Sequence, residues 1–287
     1  MIIFFQINKS TNQHKEKNCI FADCLDSSKE MDTVRAKKRL GQHFLRDEDI
    51  AQKIVNSISE DCTSVLEIGA GMGVLTQFLL QKENIDLQVV EIDKDSVAYL
   101  QTHYPALQNR IIAKDFLKLD LSTLFTQKFS IIGNFPYNIS SQILFKVLDY
   151  KQYVPEVVGM FQKEVAVRIA SRPGNRDYGI LSVLLQAFYT IEYLFTVDAA
   201  VFNPPPKVQS AVIRLKRNAV EQLDCDEQVF KTIVKTAFNQ RRKTLRNSLK
   251  TINFYEGFTQ EKLFEKRPEQ LSVEEFVYLT KNKIPMG

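Results

Sequence analysis

Tryptophan is absent from this sequence of 287 residues, and histidine, cysteine, proline and glycine are sparse at 3, 4, 9 and 10 copies. The four cysteines (Cys19, Cys24, Cys62 and Cys225) form no CxxC pair and no ligand-like spacing with the histidines. That excludes a disulfide-stapled scaffold and a zinc ribbon, and predicts free thiols in a reducing compartment with no metal. No apolar run approaches the length of a membrane span. The opening MIIFFQINKS has too short an apolar stretch, with no basic residue before it, for a secretory leader. A cytoplasmic chain without membrane contact is therefore expected.

What is present is an ordinary globular composition, 44% apolar and 25% charged. A net charge of +4 says little; the distribution says more. RAKKR places Arg35, Lys37, Lys38 and Arg39 within five residues. KTAFNQRRKTLRNSLK, from Lys235 to Lys250, carries six cations and no acid, among them Arg241, Arg242, Lys243 and Arg246. Both runs are candidate phosphate-facing surfaces, with a solvated helix face as the plainer alternative.

Residues 1–30 are polar and lack sustained periodicity, and a second methionine, Met31, precedes the basic run. They read as a loosely ordered extension, or as the result of a start placed too far upstream. From about residue 47 helical and strand patterns alternate: DEDIAQKIVNSI, SVLEIGA, GVLTQFLLQK, LQVVEID, DSVAYLQTHY, RIIAKD, FSIIGN and SSQILFKVLDY. Strands alternating with helices predict a mostly parallel sheet with helices on both faces, an α/β fold. TIEYLFTVD and KVQSAVIRLK add strands on either side of the breaker-rich FNPPPK. Beyond about residue 217 only short amphipathic helices are predicted. The expected organisation is an extension (1–30), an α/β domain (31–216) and a small all-helical domain (217–287).

LEIGAGMG sets Gly69, Gly71 and Gly73 after the first long strand, at the mouth of a helix. Glycines there permit a tight turn and close approach of a ligand to backbone N–H groups. Position 74 is Val, so the dinucleotide pattern G-x-G-x-x-G is out of register. Glu91 ends the next strand, where a carboxylate can accept from two ribose hydroxyls. Asp115 ends the strand after it, where an acid can accept from an adenine amino group. A nucleoside cofactor without a pyrophosphate fits S-adenosyl-L-methionine better than NAD.

GNFPY, at the end of a further strand, lies on the same carboxyl edge of the sheet. An exocyclic amine is a weak nucleophile because its lone pair is delocalised into the base. Two acceptors on its N–H groups would favour a more tetrahedral nitrogen: the Asn134 side-chain oxygen and a backbone carbonyl held by Pro136. The Tyr137 ring can stack on the base, worth about 1–3 kcal/mol, against a few kcal/mol for extruding a nucleotide. Phe202, in the loop stiffened by three prolines, is the candidate second ring. The alternatives are a turn-forming Asn134 and a core Tyr137.

The segments KKRLGQHFL, LEIGAGMGVLT, GNFPYNISSQILF, FQKEVAVRIAS, YGILSVLLQ, FNPPPKVQSAVIRL and AFNQRRKTLRNSL together resemble, in order, the bacterial small-subunit ribosomal RNA adenine dimethyltransferases. The resemblance runs from about Arg35 to the C-terminus. It implies a Rossmann-like S-adenosylmethionine-dependent methyltransferase domain with a small helical domain. The implied reaction dimethylates N6 of two adjacent adenosines in a hairpin near the 3′ end of 16S rRNA, within a small-subunit (30S) assembly particle, by a monomeric enzyme. Carried over by motif, cofactor contacts fall on His43 and Leu45 of GQHFL, on Gly69, Gly71, Glu91 and Asp115, and on Asn134. His43 stands where many members have Asn, and Phe135 replaces the commoner Leu, an exchange expected to change little. The two basic runs become rRNA-phosphate contacts. A DNA adenine methyltransferase and a non-catalytic RNA-binding assembly factor are the competing readings.

Overall fold

The computed structural model describes residues 33–284. The expected extension 1–30 lies outside the described residues. Residues 1–35 and 36–287 form separate units. Arg35 belongs to the first unit, and the second carries the fold.

Its elements follow the alternation in the sequence. They are β1 (Phe44–Leu45), α1 (Glu48–Val55), β2 (Ser64–Ile68), α2 (Thr76–Leu79), β3 (Asp86–Val90), α3 (Lys94–His103), β4 (Ile111–Ile112), β5 (Ser130–Asn134) and α4 (Ser140–Asp149). β6 (Glu156–Gln162), α5 (Lys163–Ala170), α6 (Ile180–Gln186), β7 (Tyr189–Val197), β8 (Phe202–Asn203) and β9 (Ser210–Arg217) complete the α/β part. The C-terminal part holds α7 (Glu227–Asn239), α8 (Leu245–Ser248) and α9 (Val273–Lys281) among short 3-10 turns. α2 is a single turn where GVLTQFLLQK predicted a full helix, because the left-handed glycines upstream delay its start.

Seven strands form one sheet in the order β4-β3-β2-β5-β6-β9-β7. The first five run parallel, and β9 inserts antiparallel between β6 and β7. After β2 the chain builds outward through β3 and β4, then returns to place β5 on the other side of β2. That reversal opens a crevice at the carboxyl ends of β2 and β5, the standard ligand position in such sheets.

Both faces of the sheet are covered. Leu66, Ile131 and Val157 pack into one apolar cluster, and their neighbours Val65, Ile132 and Val158 pack into the other. Strand alternation sends consecutive side chains to opposite faces, so each strand serves two cores. Phe230, Ile233, Val234 and Ala237 of α7 lie on one helical stripe and join the first cluster beside Leu184 and Leu185 of α6. Among the described residues no helix is long and apolar enough to cross a membrane.

Several carboxylates are buried in this frame, Glu67 among them. Glu67, in β2, is 1% exposed and accepts a 2.6 Å hydrogen bond from the Thr76 hydroxyl. Burial pushes its carboxyl up to about 7 from 4.5. The folded state then holds a proton that the unfolded chain releases, so stability declines as pH rises from about 4.5 to 7. The decline attributable to this group is on the order of 3 kcal/mol. Glu67→Gln keeps an acceptor for Thr76 and is expected to flatten that part of the curve, which denaturant melts between pH 5 and 8 would reveal.

Candidate active site

The turn after β2 uses backbone that L side chains rarely adopt: Gly69, Gly71 and Gly73 have φ of 71°, 57° and 82°. A methyl group on Gly71 would come within 2.8 Å of the Phe44 ring. This turn, the segment 40–44 and the ends of β3, β4 and β5 surround a cleft of about 180 Å3.

Two expected carboxylates line that cleft. Glu91 is 4% exposed, and its oxygens accept the N–H groups of Gly71 at 2.9 Å and Asp93 at 2.8 Å. Burial raises its pKa, and these backbone hydrogen bonds oppose the rise. Each oxygen keeps a further lone pair for a ligand hydroxyl. Asp115 caps the turn Phe116–Lys118 by accepting from the Leu117 N–H at 3.0 Å, and it also lines the cleft. Between them the walls are apolar: Ile68, Val90, Ile92 and Phe116. An apolar slot flanked by two carboxylate acceptors suits a nucleoside with free ribose hydroxyls and an amino group. The residues present therefore fit S-adenosylmethionine.

Asn134 closes β5 and lines the same cleft. Its amide nitrogen donates to the His43 carbonyl at 2.8 Å, which leaves the side-chain oxygen as the uncommitted end. The Pro136 carbonyl accepts from the Ile139 N–H at 3.1 Å and is spent on the turn. Next to it, the Phe135 ring is 1% exposed and meets Phe161 edge-on at 5.1 Å. A methyl on Gly159 would collide with that ring, and one on Gly133 would come within 2.7 Å of it. The Phe135 side chain is thus keyed between two glycines and fixes the backbone at residues 134–136. No local pattern in the sequence marks this role, because Gly159 lies on a different strand.

Tyr137 is half-buried and faces the cleft. Its hydroxyl pairs with the Ser210 hydroxyl at 2.5 Å, and its ring stacks on His43 at 5.4 Å with 26° between planes. The His43 Nδ1 in turn contacts the Pro204 carbonyl at 2.7 Å. Leu45 is 4% exposed and borders a smaller adjoining cavity with Gly69 and Asn134.

Two expected site residues need correction. Phe202 is 3% exposed and belongs to the core: β8 pairs with β1 in the register Leu45↔Phe202, and the ring packs in the second apolar cluster. It does not line the cleft, and the ring facing Tyr137 is that of His43. Lys37 is not a free phosphate ligand either, because its ammonium pairs with Asp93 and, at 2.7 Å, with Asp95. Those hydrogen bonds to the two carboxylates hold its pKa above the usual lysine value. Of the other cations, Lys38, Arg39, Arg242, Lys243 and Arg246 are exposed. Arg241 is partly committed to the Arg176 carbonyl and to Glu269 at 3.9 Å.

Comparison with known proteins agrees with this geometry. Residues 33–282 match the family described as ribosomal RNA adenine dimethylase. The chain is 60% identical over 252 residues to the ribosomal RNA small subunit methyltransferase A of Parabacteroides distasonis, covering 87% of this chain and 94% of that one. It is 59% identical to the protein of the same name from Cytophaga hutchinsonii, covering 87% and 98%. In fold it is similar to a dimethyladenosine transferase from Plasmodium falciparum (TM-score 0.69, 23% identity, 83% of this chain and 96% of that one). It is also similar to the 23S rRNA methyltransferase ErmE (TM-score 0.60, 25% identity, 83% and 99%). With a cleft fitted to a sulfonium nucleoside and an Asn-x-Pro-Tyr turn beside it, and matched over most of its length, the chain belongs to the ribosomal RNA adenine dimethylase family.

Proposed function

We propose that this enzyme dimethylates N6 of two adjacent adenosines in the 3′-terminal hairpin of 16S rRNA, acting as a monomer on a small-subunit assembly particle in the cytoplasm. Membership of the family makes it an S-adenosylmethionine-dependent rRNA methyltransferase. The finer substrate rests on the small-subunit methyltransferase names of its relatives.

The observation that carries the mechanism is the Asn134 amide locked to the His43 carbonyl. With its nitrogen engaged, Asn134 offers an acceptor to one N6 hydrogen. The Phe135 carbonyl, at the peptide bond with Pro136, offers the second. In the first transfer both contacts draw the nitrogen lone pair out of conjugation and aim it; in the second, N6 carries one hydrogen and one of the two acceptors serves. The cofactor, when bound, supplies an electrophilic methyl on a sulfonium. The chain's own part is to hold the adenine on Tyr137 and position the amine. N6 would take up that methyl through its lone pair, leaving a thioether on the cofactor, and the proton lost from nitrogen would pass to solvent. No metal or strong base is required.

Residues 31–216 would supply this chemistry and the helical residues 217–287 would help to seat the RNA. Lys38 and Arg39 on one side, and Arg242, Lys243 and Arg246 on the other, would contact phosphates and set the hairpin's position while the pocket reads the base. Replacing Arg242, Arg246 and Lys243 together by Ala is expected to weaken rRNA binding and to lower its salt slope by about two to three units. Filter binding at several salt concentrations checks this, and an unchanged slope would remove the C-terminal run from the interface. Mass analysis of the 3′ fragment of 16S rRNA tests the substrate. Rescue of an adjacent dimethyladenosine pair in undermethylated particles supports the reading, and label elsewhere, or only on duplex DNA, contradicts it.

A further inference from the structure

The segment 37–45, whose residues 40–44 form one wall of the cofactor cleft, has little regular structure of its own, only the 3-10 turn Lys38–Leu40 and the two residues of β1. Its far half is held by β8 and by the Asn134 amide on His43. Its near half is held by Asp93, a carboxylate 2% exposed and two residues beyond Glu91. Asp93 accepts from the Lys37 ammonium and, at 3.0 Å, from the Gln42 amide. The Gln42 oxygen accepts the Lys37 backbone N–H at 2.8 Å, so Lys37, Gln42 and Asp93 close a ring of hydrogen bonds. The Asp93 backbone N–H meanwhile donates to Glu91 at 2.8 Å, and the other Glu91 oxygen holds the glycine turn through Gly71.

We propose that Asp93 is a positioning residue of the cofactor site, and Lys37 its counter-ion, together holding the 37–45 segment and the Glu91 carboxylate in the arrangement that receives the nucleoside. The inference rests on the cofactor reading of the cleft. A buried carboxylate with this many donors is over-determined for a helix cap alone: capping α3 needs only the Asp95 N–H, at 3.3 Å. The lysine is spent on the wall, which is why it is withdrawn from the phosphate-facing set.

Binding of S-adenosylhomocysteine to the full chain, measured calorimetrically beside steady-state kinetics, tests this. Lys37→Met and Asp93→Asn are each expected to weaken binding about tenfold or more, the scale of a lost charge-assisted hydrogen bond. Asn at 93 retains the cap acceptor, and Met at 37 does not touch the cap. Lys37→Arg should restore binding to within about threefold, and the double variant should fall well short of the product of the two single effects, because each single variant already removes the charge attraction between the two residues. The KM for the cofactor should rise while kcat at saturating cofactor and rRNA affinity hold. Unchanged cofactor binding in Lys37→Met, or multiplied effects in the double variant, would overturn the proposal. So would a loss confined to rRNA affinity, which would return Lys37 to the phosphate surface. Failure of the wild-type chain to bind would remove the cofactor reading as well.

Discussion

Asn134→Ala is expected to lower kcat for methyl transfer by about a hundred- to a thousandfold, with rRNA affinity retained. The magnitude follows from what the side chain does: it stabilises charge and geometry that develop only as the amine becomes pyramidal, and loss of one such preorganised group costs roughly 2.7–4 kcal/mol. Alanine also releases the His43 carbonyl that the amide holds at 2.8 Å, so some loss of cofactor affinity should accompany the loss of rate. Asn134→Asp separates the two effects. A carboxylate accepts from the N6 amine but repels the His43 carbonyl, so it should retain more rate than Ala while weakening the cofactor wall. Single-turnover transfer from labelled cofactor onto rRNA particles measures both. Near-wild-type rates for Asn134→Ala would remove the proposed mechanism.

Tyr137→Ala is expected to give the second-largest effect, a fall of about ten- to hundredfold in kcat/KM for the RNA. Base–aromatic stacking contributes about 1–3 kcal/mol, and extrusion of a base costs a few kcal/mol. With Phe202 committed to the core, Tyr137 is the expected ring that remains, so extrusion is not offset without it. Tyr137→Phe keeps the ring and loses only the contact with Ser210, and it should remain within about fivefold of wild type. A fluorescent adenine analogue at the target position would report extrusion directly. Equal effects of Ala and Phe would assign the role to the hydroxyl rather than the ring.

The parts of this site visible in the sequence are those built by local rules. The glycine turn reads out because left-handed backbone demands glycine, and all three glycines adopt it. Glu91 and Asp115 were placed by strand periodicity, which puts the end of each parallel strand on one edge. Asn134 ends, and Tyr137 follows, a strand whose apolar run stops abruptly. What escaped depends on partners far apart in the chain. The triproline neighbourhood of Phe202 suggests a stiff loop and a stacking ring. The burial of Phe202 comes from pairing with Leu45, which no periodicity within either segment announces. Lys37 looks like one of four equivalent cations, and only the fold brings Asp93 to it across 56 residues. The Phe135 ring is held by Gly133 and Gly159, and the second of these reads in sequence as an ordinary strand glycine.

A ternary structure with an RNA hairpin and a non-reactive cofactor analogue examines the chemistry most directly, through the distances around one adenine nitrogen. N6 should lie within about 3.2 Å of both the Asn134 side-chain oxygen and the Phe135 carbonyl, with the Asn134 nitrogen still on His43. An adenine whose amino group is held by other atoms, or an Asn134 amide turned to present its nitrogen to the base, would contradict the account.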